Sequence, residues 1–312
     1  MSKTSIKRGV HTAVVPTDRA GQRLDNFLAT QLKGVPKSLI YRLIRTGQVR
    51  INGGRAKPAT RLEAGDEVRV PPAQSRADGD APIPDWALRR VSEGIVYEDG
   101  EVIVLDKPSG MAVHGGSGLP WGAVDVVRAL RGDGRIELVH RLDRSTSGCL
   151  VFARTRDALQ RLADAFREGR VGKRYLCLLD GRLPEDRVDV DAPIAASRRD
   201  GEKHMVVRGD GKPARTTFRR LEDFGGYSFV EAELYTGRTH QIRVHAAHLG
   251  LPLAGEDRYA EDPDRPRFWR DRGLGRLFLH AHQLSLPLGD DREVLVSAPL
   301  PAELREVLDG LA

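Results

Sequence analysis

The sequence predicts an α+β fold, in which a small basic N-terminal domain precedes a larger domain with a mixed, mainly antiparallel sheet. Strand-like runs often follow one another without a helix between them, which favours such a sheet over a doubly wound one. Prolines and polar residues crowd the stretch 73–92, which is typical of a linker. With 312 residues, 40% of them apolar, the chain is long enough for one large and one small domain.

Positive charge is concentrated at the N-terminal end of the chain. Residues 1–72 contain 14 Lys and Arg against 5 Asp and Glu, whereas the rest of the chain holds 36 against 39. A basic lobe beside a near-neutral body is typical of a polyanion-binding module, although a solvated charged surface has the same composition. The predicted divisions are an arm at 1–20, the basic domain at 21–72, the linker at 73–92 and the large domain at 93–312.

Apolar spacing predicts the elements of the basic domain. Residues recurring at helical intervals predict helices over 22–32 and 37–46, and alternating runs predict strands at 48–52 and 67–70. The dipeptide Asn52-Gly53 is typical of the turn in a two-residue hairpin.

The second helix of this domain carries a basic stripe, because Arg42 and Arg45 fall opposite its apolar face. The segment 21–70 resembles an S4-type RNA-binding domain in the strings QRLDNFLATQL and KSLIYRLIRTGQVRINGG. The resemblance implies that folded RNA is bound by a set of basic residues: Lys37, Arg42, Arg45 and Arg50. The alternative interpretation is a small helical domain with a solvated basic face.

The large domain is predicted to be rich in strands. The strand-like runs lie at 95–98, 102–106, 136–140, 149–153, 173–179, 214–221, 228–234 and 277–282. Helical patterns fit 121–131, 156–168, 239–249 and 301–310. The two cysteines, Cys149 and Cys177, fall in apolar runs and belong to no paired motif, so buried free thiols are expected.

One carboxylate, Asp143, lies in a polar loop between two of the apolar runs. Cations and hydroxyl groups surround it in the string HRLDRSTSG, and such neighbours favour an ionised carboxylate that can act as a nucleophile or base. Taken alone, however, the pattern is more typical of an Asp that caps a turn and pairs with Arg144.

A second polar cluster, GRTHQIRVH, follows the strand predicted at 228–234. Cations near the start of the helix predicted at 239–249 suit a phosphate group. The histidines at 240, 245 and 248 could instead suggest a metal, but no Asp, Glu or Cys accompanies them at typical ligand spacing. A third element, KRYLCLL, places Tyr175 at the head of a buried strand, where it is either a core residue or a ring that stacks on a base.

Together, the three strings HRLDRSTSG, KRYLCLL and GRTHQIRVH resemble, in this order, the motifs of the RluA family of pseudouridine synthases. The upstream string IVYEDGEVIVLDKPSGMAVHGGSG and the downstream RLFLHAHQLSL also resemble that family, so that the likeness covers roughly residues 15–300. Within the family, the basic domain and the KPSG string are most similar to the members that modify uridines of 23S ribosomal RNA.

The resemblance implies a role for each matched residue. Asp143 is the expected nucleophile, Arg243 the arginine that pairs with it, and Tyr175 the ring that stacks on the target base and mediates proton transfer. Arg141 would fill the gap left by the flipped uridine, and Leu279 would pack beneath its ring. Further contacts to RNA, or support for the site, are expected from a set of residues: Lys107, His114, Arg238, His240 and Gln241.

The implied reaction is an isomerisation, for which no metal and no cofactor is expected. The expected partner is 23S ribosomal RNA or a large-subunit assembly intermediate, and the protein is expected to be a cytosolic monomer without membrane segments. Alternatives are the same chemistry on tRNA or another rRNA region, or a non-catalytic RNA-binding ribosome-assembly factor. A carboxylate glycosidase is disfavoured, because that chemistry uses two carboxylates and this loop offers one.

Overall fold

The structure is a computed structural model that describes residues 9–32, 35, 37–72, 82–115, 119–199, 202–289 and 292–312. The chain divides into two compact units. The first comprises the N-terminal residues up to Pro82 together with Gly116–Pro120, and the second comprises Ile83–Gly115 and Trp121–Ala312. In the described ranges, no helix has the length and apolar character needed to cross a membrane.

The first unit packs two helices against a four-stranded sheet of order β1-β4-β2-β3. Its elements are β1 (His11–Val14), α1 (Leu24–Gln31), α2 (Lys37–Arg45), β2 (Arg50–Ile51), β3 (Gly54–Arg55) and β4 (Glu67–Val70). The predicted turn joins β2 to β3 as a two-residue loop in which Asn52 and Gly53 both have positive φ, the geometry that matches the twist of a hairpin.

Two of the predicted divisions differ from the structure. Residues 1–20 are not simply an arm, because β1 pairs along its whole length with β4. The predicted linker also contains a helix, α3 (Asp85–Glu93), which buries Ala87 and Val91 against the core of the second unit. Polar and charged residues outnumber large apolar ones in both stretches, and they obscured a strand of four residues and a helix of nine.

The second unit is built on one large mixed sheet. Its elements after α3 are β5 (Ile95–Glu98), β6 (Val102–Lys107), α4 (Ala123–Arg131), β7 (Glu137–Leu138), β8 (Ser147–Ala153), α5 (Arg156–Arg167), β9 (Gly172–Leu179), β10 (Arg187–Asp191), β11 (Ile194–Arg199), β12 (Glu202–Val207), β13 (Arg215–Asp223), β14 (Ser228–Leu234), α6 (Gln241–His248), α7 (Arg265–Arg270), β15 (Leu279–Pro287), β16 (Glu293–Ser297) and α8 (Ala302–Asp309). The sheet order is β10-β13-β14-β9-β15-β8-β6-β5, while β7 pairs with β8 and β16 with β15.

All pairings in this sheet are antiparallel except the one between β8 and β15, which is parallel. The α+β prediction with a mixed, mainly antiparallel sheet is therefore confirmed. Both cysteines are buried free thiols, as expected for small residues in central strands. Apolar clusters cover the two faces of the sheet, so that its central strands β8 and β9 are buried almost along their length.

This topology brings three polar segments to one place. The loop before β8, the first residues of β9 and the segment joining β14 to α6 all line the same cavity. Since β14, β9, β15 and β8 are consecutive neighbours in the sheet, side chains far apart in sequence become spatial neighbours on rigid strands.

Candidate active site

The loop that carries Asp143 is a tight turn, closed by a hydrogen bond from the Thr146 backbone N–H to the Asp143 carbonyl (3.1 Å). Gly148 follows it with a φ of +108°, and a Cβ at this position would lie 2.3 Å from the Ala281 carbonyl oxygen. Only glycine allows both the backbone angle and this close approach to β15. The loop is thus fixed at its C-terminal end by contact with another strand.

A second anchor of the loop is the hydroxyl of Ser147, which is buried. Arg276 donates to its Oγ (2.6 Å), and the Oγ donates to Nδ1 of His280 (2.9 Å). The Nε2–H of His280 then donates to the Ala298 carbonyl (3.2 Å), which assigns the tautomer of a neutral ring. Burial, reinforced by the charges of His282 and Arg276, lowers the pKa of His280 to about 4.

Lys107 holds the loop from its other side and does not face RNA as predicted. The side chain is fully buried, and its ammonium donates to the carbonyls of Pro108 (2.9 Å), Met111 (2.9 Å) and Arg144 (3.4 Å). Arg144 in turn donates to the Gly110 carbonyl and does not pair with Asp143. Burial, and then the charge of Arg276, lower the pKa of Lys107 to about 7. A lysine that satisfies three carbonyls is a structural clamp.

A cavity of about 570 Å³ opens beside this loop. Its wall includes eight residues singled out in the sequence: Arg141, Asp143, Tyr175, Arg238, His240, Gln241, Arg243 and Leu279. The volume lies within the range of small-molecule and nucleotide sites. The structure therefore brings the three motif strings together around one carboxylate.

The titratable side chain that approaches Asp143 is His240, whose Nε2 is 3.6 Å from Oδ2. Its Nδ1 lies 2.6 Å from the hydroxyl of Tyr259, which comes from the loop between α6 and α7. Burial lowers the pKa of His240, against the opposing charge of Asp143, so the ring is neutral at physiological pH. His240, which the sequence predicted as an RNA contact or a supporting residue, is thus a direct neighbour of the Asp143 carboxylate.

Arg243 does not form the predicted direct pair with Asp143. Its guanidinium makes two hydrogen bonds to Glu256 (2.8 and 2.5 Å) and one to Asp257 (3.2 Å), and both Arg243 and Glu256 are buried. Burial alone would lower the pKa of Arg243, but the bonds and charge of Glu256, followed by the charge of Asp143, raise it. Arg243 therefore acts on Asp143 through its field, and two other carboxylates hold it in place.

Tyr175 and Leu279 belong to the apolar part of the wall, and both are almost fully buried. Burial, and then the negative charge of Asp143, raise the pKa of the Tyr175 hydroxyl, so the phenol stays protonated at neutral pH. A flat, protonated ring beside a carboxylate suits an aromatic base as the bound group.

The predicted RNA contacts fall into two groups. Arg141 is exposed at the cavity, and Arg238 lines its wall while donating to the Pro213 carbonyl. Gln241 also lines the cavity, but its side chain is buried and its amide is engaged by Thr236, Arg238, Arg215 and Thr216, so it shapes the backbone of the wall. His114 is exposed but, among the described residues, is not part of the cavity wall.

In the first unit, Arg42, Arg45 and Arg50 are all exposed, as the basic stripe requires. The side chain of Lys37 lies outside the described residues. Three further groups at the site were missed in the sequence: Glu256, Asp257 and Tyr259. All three belong to the short string GEDRY, in which Glu256 lies 13 residues after Arg243. Nothing in the composition of this string marks it as part of the site.

Comparison with known proteins agrees with this geometry. The family described as RNA pseudouridylate synthase matches residues 101–248, and the family described as S4 domain matches residues 22–68. The chain is 44% identical over 308 residues to the ribosomal large subunit pseudouridine synthase C of Escherichia coli (strain K12), with 97% of each chain covered. The same-named protein of Vibrio parahaemolyticus is 43% identical over 315 residues, covering 99% of this chain and 98% of that protein.

Two solved structures share the fold over about two thirds or more of the chain. Human RNA pseudouridylate synthase domain containing 4 superimposes with a TM-score of 0.61 at 26% identity, covering 73% of this chain and 96% of that one. Human RNA pseudouridylate synthase domain containing 1 gives a TM-score of 0.57 at 32% identity, covering 67% and 83%. The chain belongs to the RNA pseudouridylate synthase family and carries an S4 domain in front of the synthase domain.

Proposed function

We propose that this protein is a cytoplasmic enzyme that converts uridines of large-subunit (23S) ribosomal RNA to pseudouridine, with Asp143 as the nucleophile. The observation that carries the proposal is the Asp143 carboxylate at the cavity, flanked by a neutral imidazole, the field of a buried guanidinium and a protonated phenol. The relatives named as ribosomal large subunit pseudouridine synthases, alike over nearly the whole chain, support the choice of substrate.

The reaction breaks the C1′–N1 bond of uridine, turns the uracil and joins C5 to C1′, and the proton on C5 is lost as one is gained at N1. In the proposed mechanism Asp143 acts at the sugar, by attack on C1′ or by elimination. Tyr175 and Leu279 hold the uracil ring while it is detached, and the Tyr175 phenol exchanges protons near the sugar. Arg141, exposed at the cavity mouth, fills the space that the flipped nucleotide leaves.

The S4 domain recruits the substrate in this proposal. Its exposed arginines on and after α2 suit the phosphates of folded RNA, free or in an assembly intermediate. The same chemistry on tRNA is the alternative in which only the partner RNA changes. A non-catalytic assembly factor is the alternative in which Asp143 serves no reaction, and the following experiment separates these possibilities.

Asp143→Ala and Asp143→Asn are expected to abolish pseudouridine formation while RNA binding is retained, because the carboxylate supplies the reacting atom and adds no positive charge for the RNA. The measurement is carbodiimide mapping of total RNA from cells that lack the protein and are complemented with each variant. Asp157→Asn, at an exposed carboxylate of α5 outside the cavity, is the matched control.

Pseudouridines that vanish in the deletion strain and return with Asp157→Asn name the substrate RNA. Their location in tRNA would replace 23S rRNA as the partner. Full restoration of the same pseudouridines by Asp143→Asn would refute the nucleophilic role of Asp143. The assembly-factor role would then be the remaining explanation.

A further inference from the structure

Tyr235 is an exposed aromatic residue on the wall of the cavity that holds Asp143. It follows the last residue of β14, and 39% of its surface is exposed, whereas the preceding Leu234 is buried. Large exposed aromatic rings are uncommon in this chain, in which only 5% of residues are aromatic. An exposed ring beside a reaction cavity is a candidate binding surface.

The ring of Tyr235 is held in place from three sides. Its hydroxyl donates to Glu233 (3.1 Å), and its backbone N–H donates to the Arg215 carbonyl (3.2 Å). The guanidinium of Arg215 lies over the ring, 4.8 Å from its centroid. A ring fixed in this way loses little conformational entropy when a ligand stacks on it.

The charge around the ring indicates what kind of ligand it takes. The Arg215 side chain is 48% exposed, and Arg238 lines the next part of the same wall. An aromatic face with cations beside it is the arrangement on which proteins stack unpaired nucleobases and pair their phosphates. An apolar protein segment is less suited, because it would remove water from these guanidinium groups, which among the described residues have only Asp189 (4.0 Å from Arg215) and the Pro213 carbonyl (3.0 Å from Arg238) beside them.

The size of the cavity also suits an unpaired nucleotide. At about 570 Å³ and open to solvent, it extends along the wall from Asp143 to Tyr235 and Arg238. Enzymes that flip a base contact the nucleotides on either side of it, and those contacts set sequence context.

We propose that Tyr235 is a stacking platform for the unpaired nucleobase next to the target uridine, with Arg215 and Arg238 at the adjoining phosphate. The proposal rests on the function proposed above, since it assumes that a uridine of RNA occupies the site. It makes Tyr235 a determinant of sequence context, separate from the groups that perform the reaction.

The test is binding of an RNA hairpin with a single loop uridine, measured in an Asp143→Ala background so that turnover does not contribute. Tyr235→Leu removes the aromatic face but keeps apolar bulk, and Tyr235→Phe keeps the face but removes the hydroxyl. Tyr235→Leu is expected to weaken binding by about 5- to 150-fold, the range for one lost base stack, and Tyr235→Phe by much less. Leu221→Ala, at an exposed apolar residue outside the cavity, is the control and is expected to bind normally.

Abasic substitutions on either side of the uridine complete a double-mutant cycle. One flanking abasic site is expected to weaken binding when Tyr235 is present and to have no further effect in Tyr235→Leu. The platform would be overturned if Tyr235→Leu bound the hairpin as tightly as the protein with Tyr235. It would also be overturned if, at both flanking positions, the abasic site weakened binding by the same factor with Tyr235 and with Leu at this position. Pseudouridine formation on the same hairpin by the protein with native Asp143 is a separate readout. If the abasic site and Tyr235→Leu are coupled in binding but no pseudouridine forms, the proposed function alone is refuted. If pseudouridine forms but the two changes are not coupled, the platform alone is refuted.

Discussion

The backbone of His240 lies in the left-handed region, with a φ of 57°, although a non-glycine residue there costs about 1–3 kcal/mol. The conformation starts α6 and directs the imidazole between two partners, Asp143 on one side and Tyr259 on the other. The ring of Tyr259 also contacts the Arg243 guanidinium, 5.1 Å from its centroid. One tyrosine outside the motif strings therefore touches both basic groups that act on the carboxylate.

Tyr259 is expected to decide which nitrogen of His240 carries the proton. Burial raises the pKa of Tyr259, so its hydroxyl is a donor, and donation to Nδ1 of a neutral imidazole leaves the hydrogen on Nε2, facing Asp143. Tyr259→Phe is expected to mix the two tautomers and to lower kcat by about tenfold, as for one lost hydrogen bond, with little change in KM. Nitrogen-15 spectra of labelled histidine measure the tautomer directly.

A matched control for this change is Tyr227→Phe, because Tyr227 packs in a separate apolar cluster of the same unit. An Nδ1–H tautomer in the unaltered protein, or an unchanged spectrum in Tyr259→Phe, would contradict the assignment. The spectrum does not depend on activity, so it also separates a positioning role from a general loss of folded protein.

At this scale the sequence motifs predict which residues surround Asp143 but not how those residues are held. The expected pair between Arg243 and Asp143 is replaced by a pair with Glu256, whose position depends on the path of a loop. Lys107 and Gln241 look like RNA ligands because they are polar, yet both are buried on backbone and side-chain partners from other segments. The residue type gives the chemistry of a side chain, whereas tertiary contacts decide which way that side chain points.

Among the elements, α2 has the two faces that its sequence predicts. Its apolar side is buried in the core of the first unit, while Arg42 and Arg45 are exposed. Changing Arg42, Arg45 and Arg50 to Gln is expected to weaken RNA binding and to reduce the slope of log affinity against log salt by roughly three, one for each lost phosphate contact. Binding of ribosomal RNA fragments across a salt series measures the slope.

The matched control for this triple variant of the first unit removes the same charge elsewhere, from exposed arginines of the large unit: Arg89, Arg156 and Arg305. A salt slope that changes equally in both triple variants would mean that net charge alone attracts the RNA. An unchanged slope in the first-unit variant would exclude these three arginines as phosphate contacts.

The elements with strong apolar periodicity were predicted closely, and those without it were not. The run at 228–234 became β14 with the same limits, because alternation is strict and every second residue is buried. The hairpin of β11 and β12 was missed, since its charged residues, such as Arg198 and Lys203, obscure the alternation. The predicted strand at 136–140 shortened to β7, as only Glu137 and Leu138 pair with β8.

For the whole molecule, neutral histidines with lowered pKa values, the half-buried His140 and the buried His280, predict a loss of stability in mild acid. Burial, and then the charge of Lys173, lower the pKa of His140 to about 3, and the pKa of His280 is lowered to about 4. The unfolded chain binds these protons near pH 6.5, so stability is complete above that pH and falls as the pH drops toward 4. Each histidine is expected to remove about 2 kcal/mol of unfolding free energy between pH 7.5 and 5.

The chain itself provides the readout for that prediction, because its three tryptophans, at positions 86, 121 and 269, all lie in the second unit. Urea unfolding followed by tryptophan fluorescence at pH 7.5 and 5 therefore reports on that unit. His280→Gln is expected to remove about 2 kcal/mol of the pH dependence, whereas His248→Gln, at an exposed histidine, should keep all of it. A pH dependence unaltered by His280→Gln would show that other groups cause the acid lability.

The parallel pairing of β8 with β15 has a consequence for the order of events during synthesis. It joins Ser147 and Gly148 to His280 and Ala281, and His280 is itself held by Ala298. Asp143 is translated near the middle of the chain, but its loop gains these contacts only when nearly the whole polypeptide has emerged from the ribosome. A nascent chain with its S4 domain already folded can therefore meet RNA well before it is competent to modify it.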